Sequence, residues 1–437
     1  MRLVYKFRYP RSKHLDLLAH ISKNLYNEAN YIVRQEFFAN GIWIRYYQLN
    51  MLLKASSRNY KLLKAQTSQQ ILKVVDKNWA LFFKAIKDWK QHPEKYKGRP
   101  RIPRYQDKDG YFMLIFTNQN SKIINNNCEL VITMSRSFKD AYPQCKEPLR
   151  IAIPHYPNKD FSSSYQQVRI LSRRKYFEIE IVYHEKEVAN PNLDKDCYLA
   201  IDLGVNNLVT AVENRNVKPF IISGRLLKSV NQFWNKKKTK LQSVKDKQQH
   251  RYTHQLDDIT TNRNSLVYDY LHKAARFIIQ YCLANGIGNI CVGELKHIKD
   301  GVNLGKKNNQ NFVNIPLQKF KQLIMYKASL AGIKTHELNE AYTSKCSALD
   351  LEAIKKHKKY LGRRITRGLF RGSHYLLNAD VNGALNILRK VIGDDFIRKL
   401  VDRGCWFQPV RIRDLIHTSH QQFVNTTGAT GATCVPC

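Results

Sequence analysis

The sequence predicts an α/β protein of two lobes, with barrel-like N-terminal strands interrupted by a helical insertion and followed by a C-terminal α/β domain. Apolar residues alternate with polar ones from 177 to 183, which is typical of antiparallel strands. Apolar and aromatic residues from Ile71 to Trp89 recur at helical spacing. In the second half, strand patterns at 197–212 and 286–297 are separated by a helical pattern, which indicates an α/β core.

Shifts in pattern divide the chain into segments. The polar stretch 184–196, which contains Pro191, is typical of an interdomain linker. Thr67, with Gln70 three residues on, predicts a capping box at the start of a helix. We expect a strand-rich domain at 1–10 and 96–190, a helical insertion at 11–95, an α/β domain at 191–400 with a basic insert at 341–378, and a frayed tail at 401–437.

The net positive charge of the chain predicts a polyanionic partner. Lys and Arg number 73 against 35 Asp and Glu, so the formal net charge is +38 and the pI is about 9.9. Like charges repel one another in a compact state, and a bound polyanion offsets that repulsion. A membrane surface and a nucleic acid both qualify, and the composition favours the nucleic acid.

Several other classes are excluded by composition. At 43% hydrophobic and 11% aromatic residues, the 437-residue chain can form several cores and is not disordered as a whole. It has no uncharged apolar run of about 18 residues and no signal-peptide core at its start, so we expect neither membrane insertion nor secretion. Nine scattered Cys fit a reducing cytoplasm, and the terminal Cys434-x-x-Cys437 pair is only half of a metal site.

Two basic segments are candidate nucleic-acid contacts. The proline-rich segment 93–105 predicts a loop, and residues 225–251 predict a helix with nine Lys or Arg and a single acid. A solvated helix face would explain part of the second segment, but consecutive Lys with few acids nearby favour a phosphate contact. The candidates in these segments are Lys97, Arg99, Arg101, Arg104, Lys236, Lys237, Lys238 and Lys240.

Three acids lie at the ends of predicted elements. Asp202 and Glu294 each follow an apolar strand, and Asp380 lies in the first turn of a helix. Taken singly, Asp202 is a turn residue, Glu294 a paired core acid and Asp380 a helix cap. Taken together in one α/β domain, they predict a site where two Mg²⁺ ions about 4 Å apart cleave a phosphodiester, because converging carboxylates repel unless cations lie between them. We therefore expect Asp202, Glu294 and Asp380 to be both catalytic residues and metal ligands.

The motifs around these acids resemble a known family. IDLGVNN with Asp202, VGEL with Glu294 and NADVNGALNIL with Asp380 resemble, in order and separation, the three motifs of the RuvC nuclease domain of transposon-encoded TnpB proteins, an RNase H-like fold. GRPRIPRY at 98–105 and TSKCS at 343–347 resemble further TnpB signatures. The similarity extends over residues 1 to 395, and it is most specific at the three acids.

The resemblance implies an RNA-guided DNA endonuclease of a prokaryotic cell. Its partners would be a guide RNA and a double-stranded target DNA, with no membrane partner. The strand-rich, wedge-like domain and the helical insertion would read a short DNA motif beside the target, and one RuvC site would cut both strands. Related type V CRISPR effectors hold the heteroduplex in a basic channel in a similar way.

One segment departs from the family pattern. TnpB proteins commonly carry a zinc-binding insert of two Cys pairs, but residues 343–377 contain only Cys346, so zinc is not expected. His357 and His374 could complete three ligands, although surface or phosphate-facing histidines explain them better. We expect the insert to bind DNA or RNA by charge instead, through Arg363, Arg364, Arg367 and Arg371.

Three alternatives stay open. A compact type V CRISPR effector would use a separately encoded guide, and neighbouring repeats or transposon ends would separate it from a TnpB protein. An RNA-guided DNA-binding regulator that has lost cleavage would not need all three acids. A strand-joining transposase would use three acids on the same fold, but it does not explain the long N-terminal lobe.

Overall fold

A computed structural model of the chain divides into two compact units, Met1–Lys186 and Glu187–Cys437. The structure describes residues 1–125, 128–154, 164–187, 189–215, 217–250, 253–294, 315–366, 368–400, 408–412 and 415. No helix in these ranges is long and apolar enough to cross a membrane.

The first unit combines helices with two antiparallel sheets. Strand β7 (Tyr176–His184) pairs along its whole length with β1 (Arg2–Pro10), and its Phe177, Ile179 and Ile181 are buried, as the alternation predicted. One sheet has the strand order β1-β7-β6-β2 and the other the order β3-β4-β5. Closure into a barrel stays a prediction. The remaining strands are β2 (Leu114–Thr117), β3 (Ser121–Ile124), β4 (Glu129–Ile132), β5 (Leu149–Ala152) and β6 (Tyr165–Ser172).

The helices of this unit lie mainly between β1 and β2 in the chain. Helix α1 buries Leu18, Leu25 and Ala29, which recur at helical spacing on one face. Trp79 on α4 is fully buried and donates from its indole nitrogen to Asn30 Oδ1 at 3.0 Å. The helices are α1 (Lys13–Asn40), α2 (Tyr46–Ser56), α3 (Arg58–Leu62), α4 (Ala65–Gln91) and α5 (Arg136–Ala141).

The predicted capping box at Thr67 is wrong. Helix α4 begins at Ala65 with Lys64 as its N-cap, so Thr67 lies inside the helix. The Thr67 side chain is buried, and its hydroxyl accepts from Asn120 Nδ2 at 2.9 Å. The local pattern assigned the Thr67 hydroxyl to a helix cap, but this hydroxyl bonds instead to a residue 53 positions away in the chain.

The second unit is built on one mixed sheet of six strands. Its order is β12-β11-β8-β9-β10-β16, with β11 parallel to both β8 and β12, and with β9 antiparallel to β8 and β10. These strands are β8 (Asp194–Leu203), β9 (Asn207–Glu213), β10 (Phe220–Ser223), β11 (Ile287–Gly293), β12 (Lys334–Leu338) and β16 (Val410–Ile412). Every residue of β11 is buried, as expected for a central strand covered on both faces.

Helices cover both faces of this sheet. Leu199 and Ile201 of β8 belong to a core that includes residues of α7 and α8, whereas Ala200 packs in a second core against α9. Helix α6 pairs with α7, and a small sheet of β13, β14 and β15 precedes α9. The elements are α6 (Arg225–Lys247), α7 (His254–Ala284), α8 (Leu317–Leu330), β13 (Arg363–Thr366), β14 (Leu369–Arg371), β15 (Leu376–Asn378), α9 (Ala379–Ile392) and α10 (Asp395–Leu400).

Candidate active site

Asp202 lies one residue before the end of β8, and its side chain is on the face of the sheet that α9 covers. Side chains alternate along a strand, so Asp202 shares the face of Ala200, and Ala200 packs against α9. Burial first, and then the nearby charges of Glu340 and Asp380, raise the pKa of the Asp202 carboxyl to about 8, while Arg364 opposes them. The carboxyl group is therefore held among other acids where its charge is costly.

Asp380 lies in the first turn of α9 but does not cap it. The cap is Asn378, whose side-chain oxygen accepts from the amides of Asp380 at 2.9 Å and Val381 at 3.3 Å. The Asp380 carboxylate instead accepts from Asn207 Nδ2 at 2.8 Å and from Arg364 Nη2 at 2.7 Å. The helix-cap interpretation of Asp380 is thus wrong, because Asn378 provides the cap and the carboxylate points toward side chains from other segments.

Close packing brings these two acids together. A β-carbon on Gly383, one turn after Asp380, would lie 2.8 Å from Asp202 Oδ2, so this turn of α9 needs a residue without a side chain. Asp202 and Asp380 line one cavity of about 730 Å³, with Asn207 and Arg364 also in its wall. The cavity wall also includes the cationic residues Arg225, Lys228 and Arg411.

Glu294 occupies the end of the neighbouring strand. It follows directly after β11, and its backbone amide donates to Leu338 O of β12 at 2.7 Å. It is not among the residues that line the cavity of Asp202 and Asp380. The convergence of all three predicted acids therefore stays a prediction.

A fourth acid, Glu340, was missed from the sequence. Burial raises the pKa of its carboxyl to about 7, against the opposing charges of Lys321 and Lys390. It lies two residues after β12, whose residues are exposed or only partly buried. The pattern that singled out Asp202 and Glu294, an acid at the end of a buried apolar strand, therefore does not apply to Glu340.

The donor chemistry of the site suits a hard divalent cation. Asp202 and Asp380 offer carboxylate oxygens from two separate segments. Glu340 is not among the residues that line their cavity, and its Oε1 is buried without a hydrogen-bond donor among the described residues. In the same part of the chain, however, no three His, Cys, Asp or Glu side chains are close enough together to hold one metal ion. Arg364 pairs with Asp380, so cation binding requires that contact to rearrange.

The predicted basic contacts are on the surface of each unit. Four lie in the loop between α4 and β2, four on α6 and three in the small sheet before α9, and all of them are exposed. Arg364 also forms the ion pair with Asp380, so its guanidinium has a carboxylate partner in this structure. Its contact with a phosphate stays a prediction. Arg367 lies outside the described residues. The exposed residues are Lys97, Arg99, Arg101, Arg104, Lys236, Lys237, Lys238, Lys240, Arg363, Arg364 and Arg371.

Hydrogen bonds from α9 hold the loop around Cys346. The Cys346 carbonyl accepts from the side-chain nitrogens of Asn382 at 2.9 Å and Asn386 at 2.8 Å. Arg389 donates to the carbonyl of Glu352 at 3.0 Å, and the Glu352 carboxylate accepts from the amides of Ser347 and Leu361 at 2.7 and 2.9 Å. A buried polar network thus holds this part of the insert.

The second unit therefore belongs to the class of α/β proteins that bring sequence-distant carboxylates into one cationic cavity. Two family models match parts of the chain: residues 180–299 match OrfB_IS605, described as a probable transposase, and residues 318–387 match the Cas12f1-like TNB domain. These segments are similar to the TnpB (OrfB_IS605) transposase family and to the TNB domain of Cas12f1-like proteins.

Two curated relatives and one solved structure are also similar to this chain. The TnpB-like protein ORF457 of Acidianus two-tailed virus is 23% identical over 88% of this chain and 84% of its own length. The CRISPR-associated endodeoxyribonuclease Cas12f1 of Sulfoacidibacillus thermotolerans is 34% identical, but the match spans only 26% of this chain and 25% of that protein. The cryo-EM structure of a Cas12f1-sgRNA-target DNA complex has a similar fold, with a TM-score of 0.54 at 15% identity over 86% of this chain and 83% of that one.

Proposed function

We propose that the protein is an RNA-guided DNA endonuclease that hydrolyses phosphodiester bonds with divalent metal ions. The observation that carries the proposal is the meeting of Asp202 and Asp380 in one cavity with a cationic wall. Carboxylates bind the metal in such sites, while cationic side chains attract the phosphate backbone. The relative named as the CRISPR-associated endodeoxyribonuclease Cas12f1 supports the same reaction class.

Asp202, Glu294 and Asp380 are the proposed metal ligands. Mg²⁺ bound by these carboxylates would supply a Lewis acid that stabilises the attacking and leaving oxygens of the phosphodiester. Asn207 orients Asp380 by donating to its Oδ2, and the Asn378 cap fixes the turn that carries Asp380. Arg364 is placed to exchange its carboxylate partner for a phosphate oxygen when DNA enters the cavity.

The proposed partners are a guide RNA and a double-stranded target DNA. Support comes from the net charge of +38 and from the exposed Lys and Arg clusters on α6, on the loop after α4 and beside α9. The Cas12f1 structure with a similar fold was solved as a complex with guide RNA and target DNA. Whether the guide comes from a transposon end or from a CRISPR array would be decided by the sequences that flank the gene.

The test is to express the chain with its native flanking DNA, sequence the RNA that copurifies and assay cleavage of matched DNA. Asp202→Ala, Glu294→Ala and Asp380→Ala should each abolish cutting while RNA and DNA binding persist. The matched control is Asp269→Ala, which removes an exposed acid of α7 that pairs with Lys273. Retained cleavage in any one active-site variant would remove that residue from the site. A wild type that binds guide and target without cutting would favour the binding-regulator alternative.

A further inference from the structure

The loop between α4 and β2 is bound along one side of α1. Asn30 Nδ2 and Arg34 Nη1 of the helix both donate to the Pro103 carbonyl, each at 3.2 Å. Asn27 Nδ2 donates to the Gln106 carbonyl at 3.0 Å, and the Gln106 amide donates back to Asn27 Oδ1 at 2.8 Å. Hydrogen bonds at both ends of residues 103–106 therefore fix the path of this segment on the helix.

Aromatic and cationic side chains lie together where this segment meets α1. The guanidinium carbon of Arg34 lies 4.7 Å from the ring centre of Tyr105 and 5.9 Å from that of Phe38. Phe38 is 63% exposed and Tyr105 is 43% exposed. Tyr31 is 55% exposed and lies about two helical turns before Phe38, so both are on the same face of α1. We call Tyr31, Arg34, Phe38 and Tyr105 the α1 aromatic surface.

The charge beside this surface favours a nucleic acid as its partner. The segment 97–105 contains no acid, and its Lys97, Arg99, Arg101 and Arg104 are all exposed. Cations of this kind bind phosphates, while open aromatic rings stack on bases. An apolar peptide would cover the rings but would offer nothing to the four cations. Charge complementarity therefore favours a polynucleotide over a protein.

The exposed rings favour unpaired nucleotides over a duplex. Inside a double helix each base is stacked on its neighbours, so its faces are closed to a protein ring. The bases of a single strand have open faces, and every type of base can stack on an aromatic side chain. The contacts of Arg34 hold the Tyr105 ring in place before a strand binds, which lowers the entropy cost of binding.

We propose that the α1 aromatic surface binds single-stranded DNA, with bases stacked on Phe38 and Tyr105 and with phosphates bound by the segment 97–105. This inference rests on the proposed function, since pairing of a guide with one strand of the target leaves bases of the opened DNA unpaired. It adds a base-binding site in the first unit to the phosphate contacts that the charge predicts.

The test uses the full chain with its copurified RNA and a single-stranded DNA of about ten nucleotides that carries one 5-iodouracil. Irradiation joins this base to an aromatic ring stacked on it, and mass spectrometry of the peptides locates the adduct. Adducts should form at Tyr105 and Phe38, and a duplex of the same sequence should give few. Tyr47, which is 80% exposed on α2, is the control ring and should not react.

Binding of variants provides a second measurement. Tyr105→Leu and Phe38→Leu keep an apolar side chain but remove the ring, so each should weaken binding of the single strand roughly five- to hundredfold in fluorescence anisotropy. Their affinity for the duplex and their melting temperatures should not change. Tyr47→Leu is the matched control and should bind the single strand as the wild type does.

The outcomes separate this inference from the proposed function. Wild-type affinity for the single strand in both ring variants, or adducts at Tyr47 as abundant as those at Tyr105, would overturn it. Adducts that appear only after the RNA is removed would show that RNA fills this surface, and would overturn its assignment to DNA. Adducts at Tyr105 and Phe38 in a chain that cuts no DNA would support the inference while the nuclease proposal fails.

Discussion

The most consequential single residue of the site is Asp202. It lies near the end of a buried strand, Gly383 packs against its carboxyl group and two other acids act on it. An isolated acid at this position would be interpreted from the sequence as a turn residue. Its surroundings instead raise the pKa of the carboxyl to about 8, because burial and the charges of Glu340 and Asp380 oppose its ionisation.

Replacing Asp202 with Asn should stabilise the metal-free protein at high pH. The folded-state pKa of about 8 lies above the ordinary value of 3.8, so the wild type binds a proton on folding between these pH values. That stabilisation is complete below about pH 4 and is lost as the pH rises through 8. Asn carries no such dependence, and the difference at pH 8 should be on the order of a few kcal/mol.

Scanning calorimetry at pH 5 and pH 8, with metal chelated, checks this expectation. The melting temperature of Asp202→Asn relative to wild type should rise between the two pH values, whereas exposed Asp269→Asn should show no such change. An equal difference at both pH values would mean that the Asp202 carboxyl is not desolvated in solution.

At the scale of elements, α6 carries the densest exposed positive charge of the candidate contacts. Lys236, Lys237 and Lys238 are all exposed on it. The Lys237 ammonium lies 4.5 Å from the ring centre of Phe233, and that of Lys238 lies 4.8 Å from the ring centre of Trp234. Each of these two ammonium groups is thus held near an aromatic ring one turn earlier in the same helix.

Changing Lys236, Lys237 and Lys238 together to Gln should weaken RNA binding and reduce its salt dependence. Each lysine that no longer neutralises a phosphate lowers the slope of log K against log salt by about 0.7 to 0.9, so the slope should fall by about 2. Filter binding at several salt concentrations measures it. The control changes three exposed lysines of the first unit, Lys54, Lys122 and Lys146, to Gln. An unchanged slope would make this part of α6 a solvated face.

Local patterns predicted the elements better than they predicted the partners of individual polar groups. The alternation in β7 and the helical face of α1 were both predictable, because each depends on residues within one element. The same patterns indicate caps at Thr67 and Asp380. In the structure, however, Thr67 bonds to the distant Asn120, and the neighbouring Asn378 caps the helix in place of Asp380. Close packing of Glu340 on Gly293 depends on the pairing of β11 with β12, which a window of sequence does not contain.

At the scale of the whole molecule, the formal charge of +38 governs behaviour without RNA. Such an excess repels itself in the compact state, and mobile ions screen the repulsion over about 8 Å at physiological ionic strength. Composition alone predicted this excess and its anionic partner class. Composition does not identify which side chains contact a nucleic acid, since many exposed side chains are chemically able to contact bases.

Adding salt should therefore raise the melting temperature of the RNA-free chain. The expected change from about 50 to about 300 mM NaCl is a few degrees. Bound RNA should raise the melting temperature further and reverse the salt effect, because salt weakens phosphate contacts. Differential scanning fluorimetry with and without RNA measures both. A melting temperature that falls with salt in the RNA-free chain would show that attractive ion pairs outweigh the net repulsion.

The hydrogen bonds of Asn382, Asn386 and Arg389 to the loop around Cys346 have a consequence for engineering. A chimaera that takes only residues 341–378 from a relative would place the buried side chains of Asn382, Asn386 and Arg389 against the backbone of a different protein, where their hydrogen-bond acceptors differ. Grafts should therefore exchange residues 339–390 as one block, so that the loop and the helix that binds it come from the same protein.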